Sequence, residues 1–216
     1  MAGGQGGKSD PEAGDPETGN PETGNPEARN PQAGHHRGRR GRAPLRLLLV
    51  DHGCCDRHTR VHRLRAGLAI LGVRAAVCGP STVPSLEEAE PDMYGIHLHD
   101  VAAASAGLLS AVRDGRPEVF LSAVAEVPSR LLGLLRETAR QMIAEATDAL
   151  DPHAIFVLHA GIFTDLAIET GVPVVVHVTA HDLAAAAARP SLERLVAGAI
   201  GSCGVVVGND AVTRDA

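Results

Sequence analysis

The sequence predicts an α/β domain, a parallel sheet with helices on both faces, preceded by a disordered tail. Three observations lead there. From residue 44 onward, short Val-, Leu- and Ile-rich runs alternate with longer helical stretches, the pattern of successive βαβ units. Hydrophobic residues make up 44% of the 216 residues but aromatics only 2%, so the core must be built from Ala, Val, Leu and Ile. Such side chains suit strands buried on both faces. Ahead of this region, residues 11–34 repeat a five-residue unit (PEAGD, PETGN, PETGN, PEARN, PQAGH) with no large apolar side chain to bury. Its regularly spaced prolines block a helix and its glycines add chain entropy.

Order is expected from Pro44. Leu45 to Val50 (LRLLLV) reads as a buried strand, followed by a loop, Asp51 to Arg57, and a helix from about His58 to Leu71. Gly72 ends that helix, and Val73 to Cys78 forms a second strand, completing a βαβ opening. Gly79 to Glu90 carries turn signals. A third strand is expected over Tyr94 to His99, with a helix over Ala102 to Val112 behind it. Pro128 to Leu150 reads as a long amphipathic helix, with Leu131, Leu134, Leu135, Met142 and Ile143 at helical spacing. Strands follow at Ala154 to Leu158, Val172 to Val178 and Gly204 to Val207, with helices at Phe163 to Thr170 and Ser191 to Ile200 between them. The domain boundary therefore falls between a tail, 1–43, and a domain, 44–216.

Composition excludes several classes. The formal net charge is −6. Within the tail the basic residues (Lys8, Arg29, Arg37, Arg39, Arg40, Arg42) balance the acidic ones (Asp10, Glu12, Asp15, Glu17, Glu22, Glu27), so the negative charge belongs to the domain. An acidic domain poor in aromatic rings lacks the basic face and stacking surface of a nucleic-acid binder. The basic run His35 to Arg42 has the charge to touch anionic lipid or nucleic acid, and its plainer reading is a solvated linker. Cys54, Cys55, Cys78 and Cys203 show no CxxC spacing, and thiols so sparse suggest a reducing, cytoplasmic setting. The N-terminus has no basic patch followed by an apolar stretch, so it does not read as a signal peptide, and no apolar run approaches a membrane span.

In open parallel sheets, ligands bind beyond the carboxyl ends of the strands. Three segments reach that edge. In Val50-Asp51-His52-Gly53-Cys54-Cys55-Asp56, Gly53 lets the backbone approach a ligand, although the loop is neither GxGxxG nor a P-loop and also reads as an ordinary βα turn. The fourth strand ends in Val157-Leu158-His159-Ala160-Gly161, placing His159 at its tip, where a structural histidine is the plainer reading. The third segment, residues 171–183, reads GVPVVVHVTAHDL. If extension persists to its end, alternation places His177, Thr179 and His181 on one side, with Asp182 opening the exit loop. A histidine beside a carboxylate is a good general base, since imidazole titrates near neutrality and the carboxylate can hold its tautomer. A metal site would need a third ligand, and none stands at a suitable local spacing.

GVPVVVHVTAHDL resembles the GVPVVVTVHGTDL-type segment in the N-terminal domains of family-4 glycosyltransferases of the GT-B fold. DPHAIFVLHAG is similar to that family's fourth strand, LGVRAAVCGP to its second, and AGAIGSCGVVVGNDAVTRDA to the element closing the domain. The similarity runs in order from about Leu45 to Ala216. It implies a Rossmann-like half of a GT-B enzyme, on the acceptor side. The implied reaction transfers a sugar from a nucleotide-sugar donor to an acceptor hydroxyl, with no further cofactor. On this reading His181 and Asp182 are catalytic, while Gly53, His159 and Thr179 bind substrate. Two departures stand out. The family's motif histidine falls on Thr179 and its glycine on Ala180, with only Asp182 matching directly. The chain also ends at Ala216, where an interdomain linker would begin, so a separate C-terminal donor-binding domain is expected as partner.

Two other classes remain. One is a Rossmann-like sugar- or nucleotide-binding fragment without catalysis. The other is a degenerate receiver-like signalling domain, since LRLLLVDHG resembles the opening of a response regulator and Asp51, Asp56 and Asp100 could supply its acidic residues. No Lys follows Lys8, which removes the active form of that fold.

Overall fold

A computed structural model describes residues 43–53, 55, 59–83, 90–98 and 105–208. The repeat arm, the basic run, Asp56, Asp100 and the closing segment 209–216 lie outside the described residues. The order of elements is β1 (Arg46–Val50), α1 (Thr59–Ile70), β2 (Arg74–Ser81), β3 (Met93–His97), α2 (Ala106–Asp114), α3 (Pro117–Ala125) and α4 (Ser129–Leu150). Then come β4 (Ala154–Val157), α5 (Thr164–Glu169), β5 (Val174–Val178), α6 (Ala180–Ala187), α7 (Pro190–Ser202) and β6 (Val205–Gly208). One six-stranded sheet has the order β3-β2-β1-β4-β5-β6, with every neighbouring pair parallel. The expected α/β architecture, with β1, β4 and β5 central, is what forms. The order is that of a Rossmann sheet and not the 2-1-3-4-5 order of receiver domains.

Side chains alternate across the sheet. Leu49, Ala75, Val77 and Met93 share one face with Val61 of α1. Leu48, Val50, Ala76, Cys78, Val157 and Val176 share the other with Leu135 and Ile143 of α4, Leu166 of α5 and Val196 of α7. Handedness explains the division. From β1 to β2 the chain steps one way along the sheet, and from β3 to β4, β5 and β6 it steps the other, so right-handed crossovers land on opposite faces.

Local chemistry sets the element ends. Ser105 caps α2, accepting a hydrogen bond from the Leu108 backbone N–H, and Gly115 closes that helix at φ 84. Pro117 and Pro190 open α3 and α7, where the missing N–H would be unpaired anyway. Past Cys78, β1 has ended and β2 continues beside β3 alone, so Pro80 fits on that half-edge and the strand reaches Ser81. The turn expected from Gly79 therefore starts later. In α4 the buried stripe is Leu132, Leu135, Ala139, Ile143, Ala146 and Leu150, with Leu134 52% exposed. Two alanines carry the core face that the larger residues obscure in the sequence. Helices α3 and α6 add to the expected elements, α6 taking the place of the exit loop expected from Asp182. Among the described residues no helix is long and apolar enough to cross a membrane.

Candidate active site

Strand order reverses between β1 and β4, the position at which open parallel sheets form their ligand crevice. Leu158 donates its N–H to the Val50 carbonyl at 2.9 Å, while Asp51 donates to the Cys78 carbonyl at 2.9 Å, so backbone pairing reaches the last residue of β1 on both sides.

The β1 loop brings His52 into the interior. Its ring stacks on Phe163 at 4.5 Å with an interplanar angle of 13°, and Nε2 accepts the Phe163 backbone N–H at 3.2 Å. Nδ1 then carries the proton and is buried with no hydrogen-bond partner among the described residues. Burial first, then the neighbouring His159, push the His52 pKa from 6.5 to about 3, against the opposing pull of Asp51 and Asp182. His52 is a neutral structural wedge. Its seat requires Gly161, because a Cβ there would lie 2.6 Å from His52 Nε2 and 2.6 Å from the Leu121 side chain. Gly53 is buried, and its carbonyl lies 3.2 Å from where a Cβ on Gly79 would be, so this part of the loop packs under the end of β2.

The carboxylate at the crevice is Asp182, only 1% exposed. It accepts from the Thr179 N–H at 2.8 Å and the Ala160 N–H at 3.1 Å, and pairs with His159 Nδ1 at 3.1 Å. In return Thr179 Oγ1 accepts the Asp182 N–H at 3.3 Å. Thr179 and Asp182 thus form a capping box that starts α6 at Ala180. This corrects the expected extension of β5 to His181. The cap turns the chain into helix one residue after the strand ends, leaving His181 exposed on α6 and away from the alternation that carries His177. The sequence signal for it, T-x-x-D ahead of an alanine-rich run, was available.

Structure therefore joins His159, Thr179 and Asp182, leaves His181 at the surface, and does not bring Gly53 into their hydrogen-bond network. It adds His52 and His177. The His177 ring lies edge-on to His159 at 6.2 Å, and its Nδ1 donates to the Leu158 carbonyl at 2.9 Å. His159 and His177 border a cavity of about 210 Å³ whose remaining walls are Phe156 and Leu158 of the β4 end and Arg60, Val61 and Leu64 of α1. With Nδ1–H of His159 directed to Asp182, Nε2 is the basic atom, and it has no hydrogen-bond partner among the described residues. The arrangement can accept one proton from a bound group and hold the resulting imidazolium against a carboxylate.

Fold and site together define a Rossmann-like parallel α/β domain with a histidine–aspartate pair just beyond the ends of β4 and β5. Among solved structures, the crystal structure of MurG from Acinetobacter baumannii is similar, at 14% identity and a TM-score of 0.46, over 79% of this chain and 43% of that one. SsfS6, a glycosyltransferase of Streptomyces sp. SF2575, is similar at 14% identity and a TM-score of 0.42, over 77% of this chain and 48% of that one. The chain thus spans less than half the length of either protein. No protein-family model matches the sequence, and no curated protein matches it.

Proposed function

We propose that the chain is the acceptor-side domain of a family-4-like GT-B glycosyltransferase, acting in the cytoplasm with a C-terminal domain that binds the nucleotide sugar. The observation that carries the reading is the His159–Asp182 pair just beyond the ends of β4 and β5, the strands whose sequences resemble that family. Asp182 holds His159 with Nδ1 protonated. Nε2 takes the proton of the acceptor hydroxyl as its oxygen attacks the anomeric carbon, and the nucleoside diphosphate leaves with the bonding electron pair. The base role moves from His181 to His159 because it is His159 that the carboxylate orients. His181, exposed on α6, is left as an acceptor contact, and Thr179 supports the site through its cap.

The test joins the chain to a C-terminal donor domain and measures sugar transfer from a panel of nucleotide sugars. His159→Gln should lower kcat by about 10²–10⁴-fold, the range for a general base. His181→Ala should stay within about threefold, too small a change for a base. Equal losses in both variants would refute the assignment. A binding module without catalysis is the second reading. It is favoured by Thr179, which stands at the family's histidine position and uses its hydroxyl as a helix cap.

A further inference from the structure

The cavity beside His159 has a composition that selects a ligand. It exists because right-handed crossovers place α2 to α7 on the opposite face, leaving α1 as the described helix on this one. A parallel sheet is ordinarily covered on both sides. Here Phe156 and Leu158 of the β4 end are only partly buried, and Val61 and Leu64 of α1 form the facing wall. The polar groups are few and sit at the edges: the two imidazoles, and Arg60, which is exposed and pairs with no carboxylate among the described residues. Among the described residues no acidic side chain lines it.

We infer that this cavity binds the acceptor's aglycone, a flat apolar body of one or two fused rings that carries an anionic group for Arg60 and presents a hydroxyl to His159. The role as acceptor rests on the glycosyl-transfer reading above. A bare sugar is a poor fit, since each of its hydroxyls needs a hydrogen-bond partner and most of the wall is carbon. A nucleotide diphosphate is a poor fit too, because among the described residues the wall offers no glycine-rich run of backbone N–H groups. Size agrees with a ring system: a dry protein cavity of about 150 Å³ holds benzene, so about 210 Å³ admits a somewhat larger body.

The test uses the full chain and 6-hydroxy-2-naphthoate, a fluorescent aromatic with both a carboxylate and a hydroxyl. The chain has no Trp to interfere. Titration should give saturable one-to-one binding below about 1 mM. Arg60→Gln, at an exposed position, should weaken the naphthoate about fivefold or more while leaving neutral 2-naphthol within about twofold. Leu64→Glu, which puts a carboxylate against the ligand, should weaken both about tenfold, with circular dichroism checking that the fold is kept. Absence of saturable binding overturns the inference, as does an Arg60→Gln variant that loses both ligands equally or neither. Sugar transfer does not enter this readout. Binding without transfer by the joined enzyme would sink the transferase reading alone, and transfer without binding would sink the aglycone site alone.

Discussion

His52 makes this fold sensitive to acid in a way that can be calculated. Folded, its pKa is about 3; unfolded, it returns to 6.5. Adding a proton to Nε2 would set it against the Phe163 N–H that it now accepts, in a fully buried site. The folded pKa is depressed, so the neutral form is the native one. Its contribution is fully present above the unfolded value and is lost as pH falls below 6.5 toward 3, because the unfolded chain then binds a proton that the native chain refuses. Between about pH 7.5 and pH 5.0 the loss integrates to about 2 kcal/mol. The perturbation is His52→Gln, whose amide oxygen can still accept the Phe163 N–H but cannot titrate. Urea unfolding at both pH values gives the stability change of each protein. Every other titrating group is common to the two, so the parent should lose about 2 kcal/mol more than the variant over this interval. A difference below about 0.5 kcal/mol would refute the claim that His52 is held neutral by burial.

Other substitutions test the packing and the hub. Gly161→Ala drives a methyl into His52 and Leu121 and should cost about 1–3 kcal/mol in denaturant unfolding. Gly133→Ala, within α4 and with nothing inside 4 Å of the new Cβ, should stabilise by about 0.5–1 kcal/mol. Asp182→Ala strips the buried Ala160 N–H, the partly buried Thr179 N–H and the His159 ring of their acceptor, and should cost about 3 kcal/mol or more. His181→Ala, on the next residue but at the surface, should change stability by less than about 0.5 kcal/mol. Removing residues 1–43 should leave the thermal melt unchanged, since the repeat has nothing to bury; a lowered melt would show that the arm docks on the domain.

The sequence by itself determined the layers. Apolar runs such as Leu47–Val50 and Val174–Val176 can be satisfied only inside a sheet covered on both sides, and the intervening amphipathic stretch of α4 supplies a cover. Handedness then leaves few arrangements of such units. Near-neighbour chemistry was also legible in principle, and the Thr179–Asp182 cap could have been read from its spacing. Tertiary structure decided which side chains meet. His159 and Asp182 stand 23 positions apart and join because β4 and β5 are adjacent, bringing the β4 tip beside the first turn of α6. His52 and Phe163 stand 111 positions apart and stack because the switch point brings the two loops together over Gly161. The proximity of His181 to Asp182 along the chain misled for the same reason. A helix turns consecutive side chains about 100° apart, so the neighbour in sequence went to solvent while the partner came from another strand.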